Sequence, residues 1–127
     1  AKALAQGLGN KIKESLEKTI ALAPHHADAR ITLGAFHAEV IDKVGTLIGA
    51  MTYGAKKDKS LKLFQEALQL HPGSAIGRIE YANALISLEG EHKTQEATAL
   101  YEQAAATEAA DALEFLEREM ARAELHN

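Results

Sequence analysis

The 127-residue sequence predicts an all-α protein, built as a stack of antiparallel helix hairpins with about six helices in a single domain. Alanine and leucine dominate a composition that is 46% apolar and only 5% aromatic. This composition favours closely packed helices, because alanine loses no side-chain entropy in a helix. A helix that ends in proline also recurs, at Pro24 and Pro72. Since a helix hairpin cannot bury its apolar face alone, such repeats must stack.

Six helices are predicted from apolar residues at helical spacing and from the signals at helix ends. Their ranges are 10–23, 27–53, 59–70, 75–88, 93–107 and 111–125. Pro24 and Pro72 end the first and third helices, and Ser74 and Asp111 are predicted N-caps of the fourth and sixth. The first hairpin lacks its first helix unless residues 1–8 supply a stub of it, and the glycines at 7 and 9 argue against such a stub because glycine disfavours helix.

The second helix of each predicted hairpin carries the same spacing of small and aromatic residues. The copies are Ser60/Phe64/Ala67/Pro72, Ala97/Tyr101/Ala104 and, more weakly, Ile12/Leu16/Thr19/Pro24. The first helices supply Leu33-Gly34 and Tyr81-Ala82 at matching places. Over residues 10 to 126 this pattern resembles the tetratricopeptide (TPR) repeat, and more weakly the TPR domain of the regulator-of-microtubule-dynamics group and its bacterial relatives. The resemblance implies a right-handed stack of hairpins that acts as a scaffold or adaptor.

Under this resemblance the chain is one TPR-like domain with four parts. They are an orphan second-type helix (10–23), a repeat with a long insertion (27–72), a repeat (75–109) and a capping helix (111–126). Pro24 and Pro72 are 48 residues apart instead of 34, so the first helix of the first complete repeat is predicted to be about four turns too long. The orphan helix predicts that the chain is a fragment of a longer protein.

The first helices of the hairpins build the concave face of TPR arrays, and the resemblance places the partner-binding residues there. These positions are Asp28, Ile31, Ala35, Glu39, Ile76, Ile79, Asn83 and Ile86. The isoleucines predict an apolar groove for a peptide or helical segment of a protein partner, with Asn83 hydrogen-bonded to its backbone. The alternative is that the C-terminal helix, or a second copy of the chain, covers this face.

Gly45 and Gly49 lie four residues apart on the predicted extension of the long helix, close to Met51. Small residues at this spacing allow another helix to approach closely. The pair therefore predicts either packing within the chain or a contact between copies. A self-assembling structural subunit is accordingly one alternative function. A carrier of a small apolar ligand is another, with the capping helix closing the apolar face into a pocket.

Several classes of function have no support in the sequence. It contains no cysteine, and its six histidines include no set of three metal ligands on one helix face, so we predict no metal and no cofactor. No nucleophile arrangement is visible, and the prediction is a non-enzymatic protein. The basic residues are too dilute for a nucleic-acid surface, and no apolar run is long enough to span a membrane. With no targeting segment visible, cytoplasm and periplasm both remain open.

The charge is distributed unevenly along the chain. Residues 1–88 carry 11 basic and 8 acidic residues, whereas residues 89–127 carry 3 and 10. We expect the acidic residues to solvate one face of the capping helix, while Leu113 and Leu116 on its other face complete the core.

Overall fold

The computed structural model describes residues 2–126, and these residues form six α-helices and one 3-10 turn. The helices are α1 (Lys2–Leu22), α2 (Ala27–Val44), α3 (Thr46–Tyr53), α4 (Lys57–Leu70), α5 (Ala75–Glu89) and α6 (Thr94–Leu125), with the 3-10 turn at Glu91–Lys93. The described part of the chain contains no strand. The predictions of an all-α protein and of about six helices are therefore confirmed.

The helices pack side by side, from α1 at one end to α6 at the other. α2 lies antiparallel to α4, because Gly34 and His37 of α2 are hydrogen-bonded to Ser60 and Lys56 respectively. α6 turns back along α5, and α5 in turn packs against both α2 and α4. α1 packs on α2 and α3 at one side, and α6 packs on α5 and the 3-10 turn at the other. Within residues 2–126, α1 and α6 therefore occupy opposite ends of the stack.

The centre of the core is the contact between α2 and α4 at Gly34. The fully buried Phe64 ring lies so close that a Cβ atom on Gly34 would be 3.0 Å from it. The Ser60 hydroxyl, also fully buried, donates a hydrogen bond of 2.7 Å to the Gly34 carbonyl oxygen. The Tyr81 ring of α5 stacks on Phe64 with 5.6 Å between ring centroids. One glycine thus brings three helices together, and burial of these rings stabilises the contact.

α2 and α5 begin in the same way, 48 residues apart. His26 and Ser74 are the N-caps, and the side chain of each accepts a hydrogen bond from the backbone N–H three residues later. Arg30 and Arg78 each donate from Nη1 to the carbonyl oxygen of the proline six residues earlier. The predicted N-cap at Ser74 is confirmed. The local structure repeats with the same spacing as the two prolines.

The long helix predicted over residues 27–53 is wrong, because Gly45 divides it into α2 and α3. Gly45 has a φ of +87°, and its N–H donates to the Ile41 carbonyl oxygen to close α2. Residues other than glycine rarely adopt this backbone conformation. α3 ends at a second glycine of positive φ, Gly54. Residues 46–53 therefore form a separate short helix and do not lengthen α2.

α6 is a single helix where the sequence predicted two. Its 32 residues run through the predicted break between 107 and 111, so Asp111 is not an N-cap and no separate capping helix forms. The segment contains alanines and no glycine or proline, which leaves nothing to stop the helix. Its second half extends past α5, and Leu113 and Leu116 are 56% and 54% exposed. Their predicted place in the core is wrong.

α1 begins at Lys2, well before the predicted start at residue 10. Gly9 does not interrupt it and lies against the ring of Tyr53, where a Cβ atom would be 3.0 Å from the ring. A Cβ atom on Gly7 would meet nothing within 4 Å. The close packing of Tyr53 gives a physical reason for glycine at position 9, and nothing in the structure explains glycine at position 7.

Substitution of Gly34 and of Gly7 by alanine should change stability in opposite directions. At Gly34 the new methyl group meets the fully buried Phe64 ring, so we expect the free energy of unfolding to fall by about 1–3 kcal/mol. At Gly7 the methyl group meets open space and alanine favours helix, so we expect a gain of about 0.5–1 kcal/mol. Urea unfolding followed by circular dichroism measures both. Equal effects at the two positions would contradict this account of the core.

Candidate functional site

A cleft of about 140 Å³ lies between α2 and α5. These helices run side by side, and residues three or four apart on each of them face the same opening. Alanines line its walls together with polar and acidic side chains. The lining residues are Ala35, Ala38, Glu39, Asp42, Glu80, Asn83, Ala84 and Ser87.

The cleft is acidic. Glu39, Asp42 and Glu80 contribute carboxylates, and no basic residue belongs to the lining. One of these carboxylates forms a salt bridge, in which Lys43 Nζ lies 3.5 Å from a Glu39 carboxylate oxygen. Both of these side chains are well exposed, so this pair is weak and leaves the cleft with net negative charge. Such a surface accepts hydrogen bonds and attracts lysine, arginine or backbone N–H groups.

Asn83 is held in place by the neighbouring helix. Its Oδ1 atom accepts a hydrogen bond from the Tyr101 hydroxyl of α6. This hydrogen bond fixes the orientation of the amide. The N–H₂ group of Asn83 is then the part of the side chain that can donate to a backbone carbonyl of a ligand. The carboxylates and Asn83 therefore offer both acceptors and a donor to a ligand.

The structure brings three of the eight predicted groove residues together in this cleft, namely Ala35, Glu39 and Asn83. Ile31 lies in the core with 6% exposure, where it packs against Gly77. The remaining four predicted residues lie outside the cleft: Asp28, Ile76, Ile79 and Ile86. No isoleucine lines this cleft, whose polar lining is carboxylate, amide and hydroxyl.

Sequence reasoning left Asp42 and Glu80 out of the proposed site. Both follow from helical spacing, because Asp42 is three residues after Glu39 and Glu80 is three residues before Asn83. Extending the predicted stripe of α2 by one turn would have found Asp42, and Glu80 lies within the predicted stripe of α5, four residues after Ile76.

The C-terminal helix does not cover this cleft. α6 packs on the side of α5 and then continues past it. The cleft is therefore open within the described chain, and a pocket closed by a folded-back capping helix is not present.

Gly45 and Gly49 do not form one small-residue face. Gly45 lies in the turn between α2 and α3, whereas Gly49 is buried in α3, where a Cβ atom would contact Ile41 and Val40 of α2. The close approach predicted for Gly49 is thus made within the chain. Met51, on the outside of α3, is 78% exposed.

Metal-ligating side chains do not converge. In residues 2–126 no three histidine or carboxylate side chains form a cluster that would hold a metal ion. His92 lies 4.0 Å from Glu89, while Glu96 pairs with Lys93. Over the same range, no helix combines the length and apolar character that a membrane span requires.

His37 is a buried structural histidine. It is 1% exposed, and its Nδ1 atom accepts a hydrogen bond of 3.0 Å from the backbone N–H of Lys56, in the loop before α4. Its Nε2 atom is buried without a hydrogen-bond partner among the described residues. Burial, assisted by the nearby charges of Lys59 and Lys13 and opposed by Glu17, lowers the pKa of His37 from 6.5 to about 4. The neutral ring therefore joins α2 to the α3–α4 loop.

No family model, curated protein or solved structure matches this chain. Its function therefore has to be inferred from its own residues and their geometry.

His37 should make the protein less stable as the pH falls from about 6.5 to about 4. In this range the unfolded chain binds a proton at His37 and the folded chain does not, so the free energy of unfolding decreases, by up to about 3 kcal/mol. Urea unfolding at a series of pH values measures the slope. In His37→Gln, which does not titrate, the slope should be smaller.

The matched control is His92→Gln, which removes a histidine whose side chain is 68% exposed. This variant should keep the pH dependence of the wild type. An unchanged slope in His37→Gln would show that another group controls the acid sensitivity.

Proposed function

We propose that this chain is a non-enzymatic protein-interaction scaffold of the TPR type, and that the cleft between α2 and α5 binds a peptide or helical segment of a protein partner. The observation that carries the proposal is the open cleft itself, with alanine walls, three carboxylates and the oriented amide of Asn83. The TPR assignment is supported by the matching starts of α2 and α5 and by the antiparallel pairs that follow them.

The size of the cleft favours a peptide side chain over a small apolar ligand. Its volume of about 140 Å³ is below the roughly 300–1,000 Å³ of ordinary ligand pockets. A space of this size accepts one or two side chains of a segment that continues along the outside of α2 and α5. The acidic lining also argues against an apolar cargo, because its carboxylates would lose hydration without gaining partners.

The negative charge of the cleft determines which kind of peptide we expect it to prefer. Glu39, Asp42 and Glu80 complement a lysine or arginine side chain, whose long apolar stem packs on alanine while its charged end meets the carboxylates. The segment we propose is therefore basic. This differs from the apolar segment that the isoleucines of the sequence suggested.

A Glu80→Lys variant should bind peptide more weakly than the wild type. Peptides selected on the immobilised protein from a random display library should be enriched in lysine and arginine. Calorimetric titration of the strongest selected peptide should show affinity at least about tenfold weaker for Glu80→Lys, because a cation then faces a cation.

Glu102→Lys is the matched control, since it changes the net charge equally at an exposed position of α6 outside the cleft. It should alter the affinity by less than about twofold. Equal weakening by the two variants would show attraction to overall charge only, and failure to select any peptide would count against the scaffold proposal.

A further inference from the structure

An apolar groove of about 340 Å³ runs between α1 and α2, at the end of the stack away from α6. Its walls are Leu8 and Ile12 of α1 and Phe36, Val40 and Val44 of α2. Leu8 and Ile12 are about half exposed, at 53% and 51%. Apolar side chains arranged in rows on two adjacent helices form a groove in which a third helix can pack.

The repeat within the molecule shows what occupies the equivalent groove. The repeated helix starts are 48 residues apart. A shift of 48 residues places α4 on residues 9–22 of α1 and places α5 on α2. Between α4 and α5 lies α2, which packs on both. Ser60 and Ala84 are buried there, whereas their counterparts Ile12 and Phe36 line the open groove. The groove is therefore shaped for a helix.

The second half of α6 is an unpartnered amphipathic helix. We call residues 108–125 the α6 extension. Leu113, Leu116 and Met120 lie three and four residues apart, which places them on one face. Every apolar side chain of the extension is exposed. A helix with such a stripe gains free energy when the stripe is buried against another apolar surface.

The extension is acidic, whereas the groove lining carries no net charge. The extension carries six carboxylates and two arginines. Glu39 is the one carboxylate of the groove lining, and it is paired with Lys43. Beside the groove on α1, Lys13 is paired with Glu17, and Lys11 adds one positive charge. The extension therefore meets less electrostatic repulsion in the groove than against a second extension.

Two extensions would repel each other. Glu117 and Glu124 flank the apolar stripe on one side and Glu119 flanks it on the other. Pairing two such helices along their stripes would place like charges together, which is unfavourable. The dimensions also favour the groove, because residues 113–120 and residues 36–44 each cover about 10–12 Å of helix at 1.5 Å per residue.

We propose that the α6 extension of one copy binds in the α1–α2 groove of a second copy, so that the protein associates head to tail. The groove and the extension lie at opposite ends of the stack, and each copy therefore keeps one free site after the first contact. Contacts of this heterologous type give open chains or closed rings. This surface is separate from Gly45 and Met51, and the proposal does not depend on peptide binding in the α2–α5 cleft.

Sedimentation velocity of the whole chain tests the proposal through two variants at exposed positions. Ile12→Asp places a carboxylate in the groove, and Leu116→Asp places one on the apolar stripe. We expect the average mass of the wild type to rise with concentration, at about micromolar to hundreds of micromolar for so small an interface. Each variant alone should stay monomeric. An equal mixture should form complexes of two chains only, because one variant keeps its extension and the other keeps its groove.

Leu22→Asp, at an exposed position near the other end of α1, is the control and should associate like the wild type. Circular dichroism checks folding, and Leu8→Gln replaces Ile12→Asp if that variant does not fold. A wild type that stays monomeric throughout the concentration range overturns the proposal. So does self-association of a groove variant alone, which would mean pairing of two extensions. A mixture of variants that remains monomeric while the wild type associates also overturns it.

Discussion

The close approach of α2 and α4 at Gly34 is the constraint on which the rest of the structure depends. Because Gly34 has no side chain, the Phe64 ring reaches the backbone of α2 and the Ser60 hydroxyl reaches its carbonyl oxygen. Tyr81 then stacks on the same ring, which fixes α5 relative to α2. The α2–α5 cleft and the α1–α2 groove both have α2 as a wall. Their shapes therefore follow from one tightly packed contact between helices.

Most of the fold was predictable because its boundaries are local. Pro24, Pro72 and Ser74 act on neighbouring backbone groups, and the helix ends near them were predicted closely. Glycine was harder, because the same residue ends a helix at Gly45 and packs inside one at Gly49. That choice depends on tertiary contacts. The break predicted in α6 came from the N-cap expected at Asp111, although the alanines before it favoured a continuous helix.

The sequence indicated which face of the helices carries the candidate site, but not which residues line it. The resemblance to the TPR repeat placed the expected site on the face of α2 and α5 that carries Ala35, Glu39 and Asn83. It did not show the close contact near the N-terminal ends of these helices, where Gly77 of α5 lets Ile31 pack into the core. Further along, the helices leave room for the cleft, and the carboxylates line it. Spacing within one helix carries no information on the distance between two helices, so the sequence could not show that carboxylates and not isoleucines line the cleft.

The continuity of α6 has a thermodynamic consequence. Starting a helix is unfavourable because several residues must be ordered before the first hydrogen bond forms, whereas each later residue adds a bond. The first half of α6 is already held against α5 by the buried Ala97 and Ala104, so the second half only has to propagate. A partner that binds the second half meets a helix that is already ordered, so little further conformational entropy is lost on binding. Binding therefore retains more of the free energy gained by burying its apolar stripe.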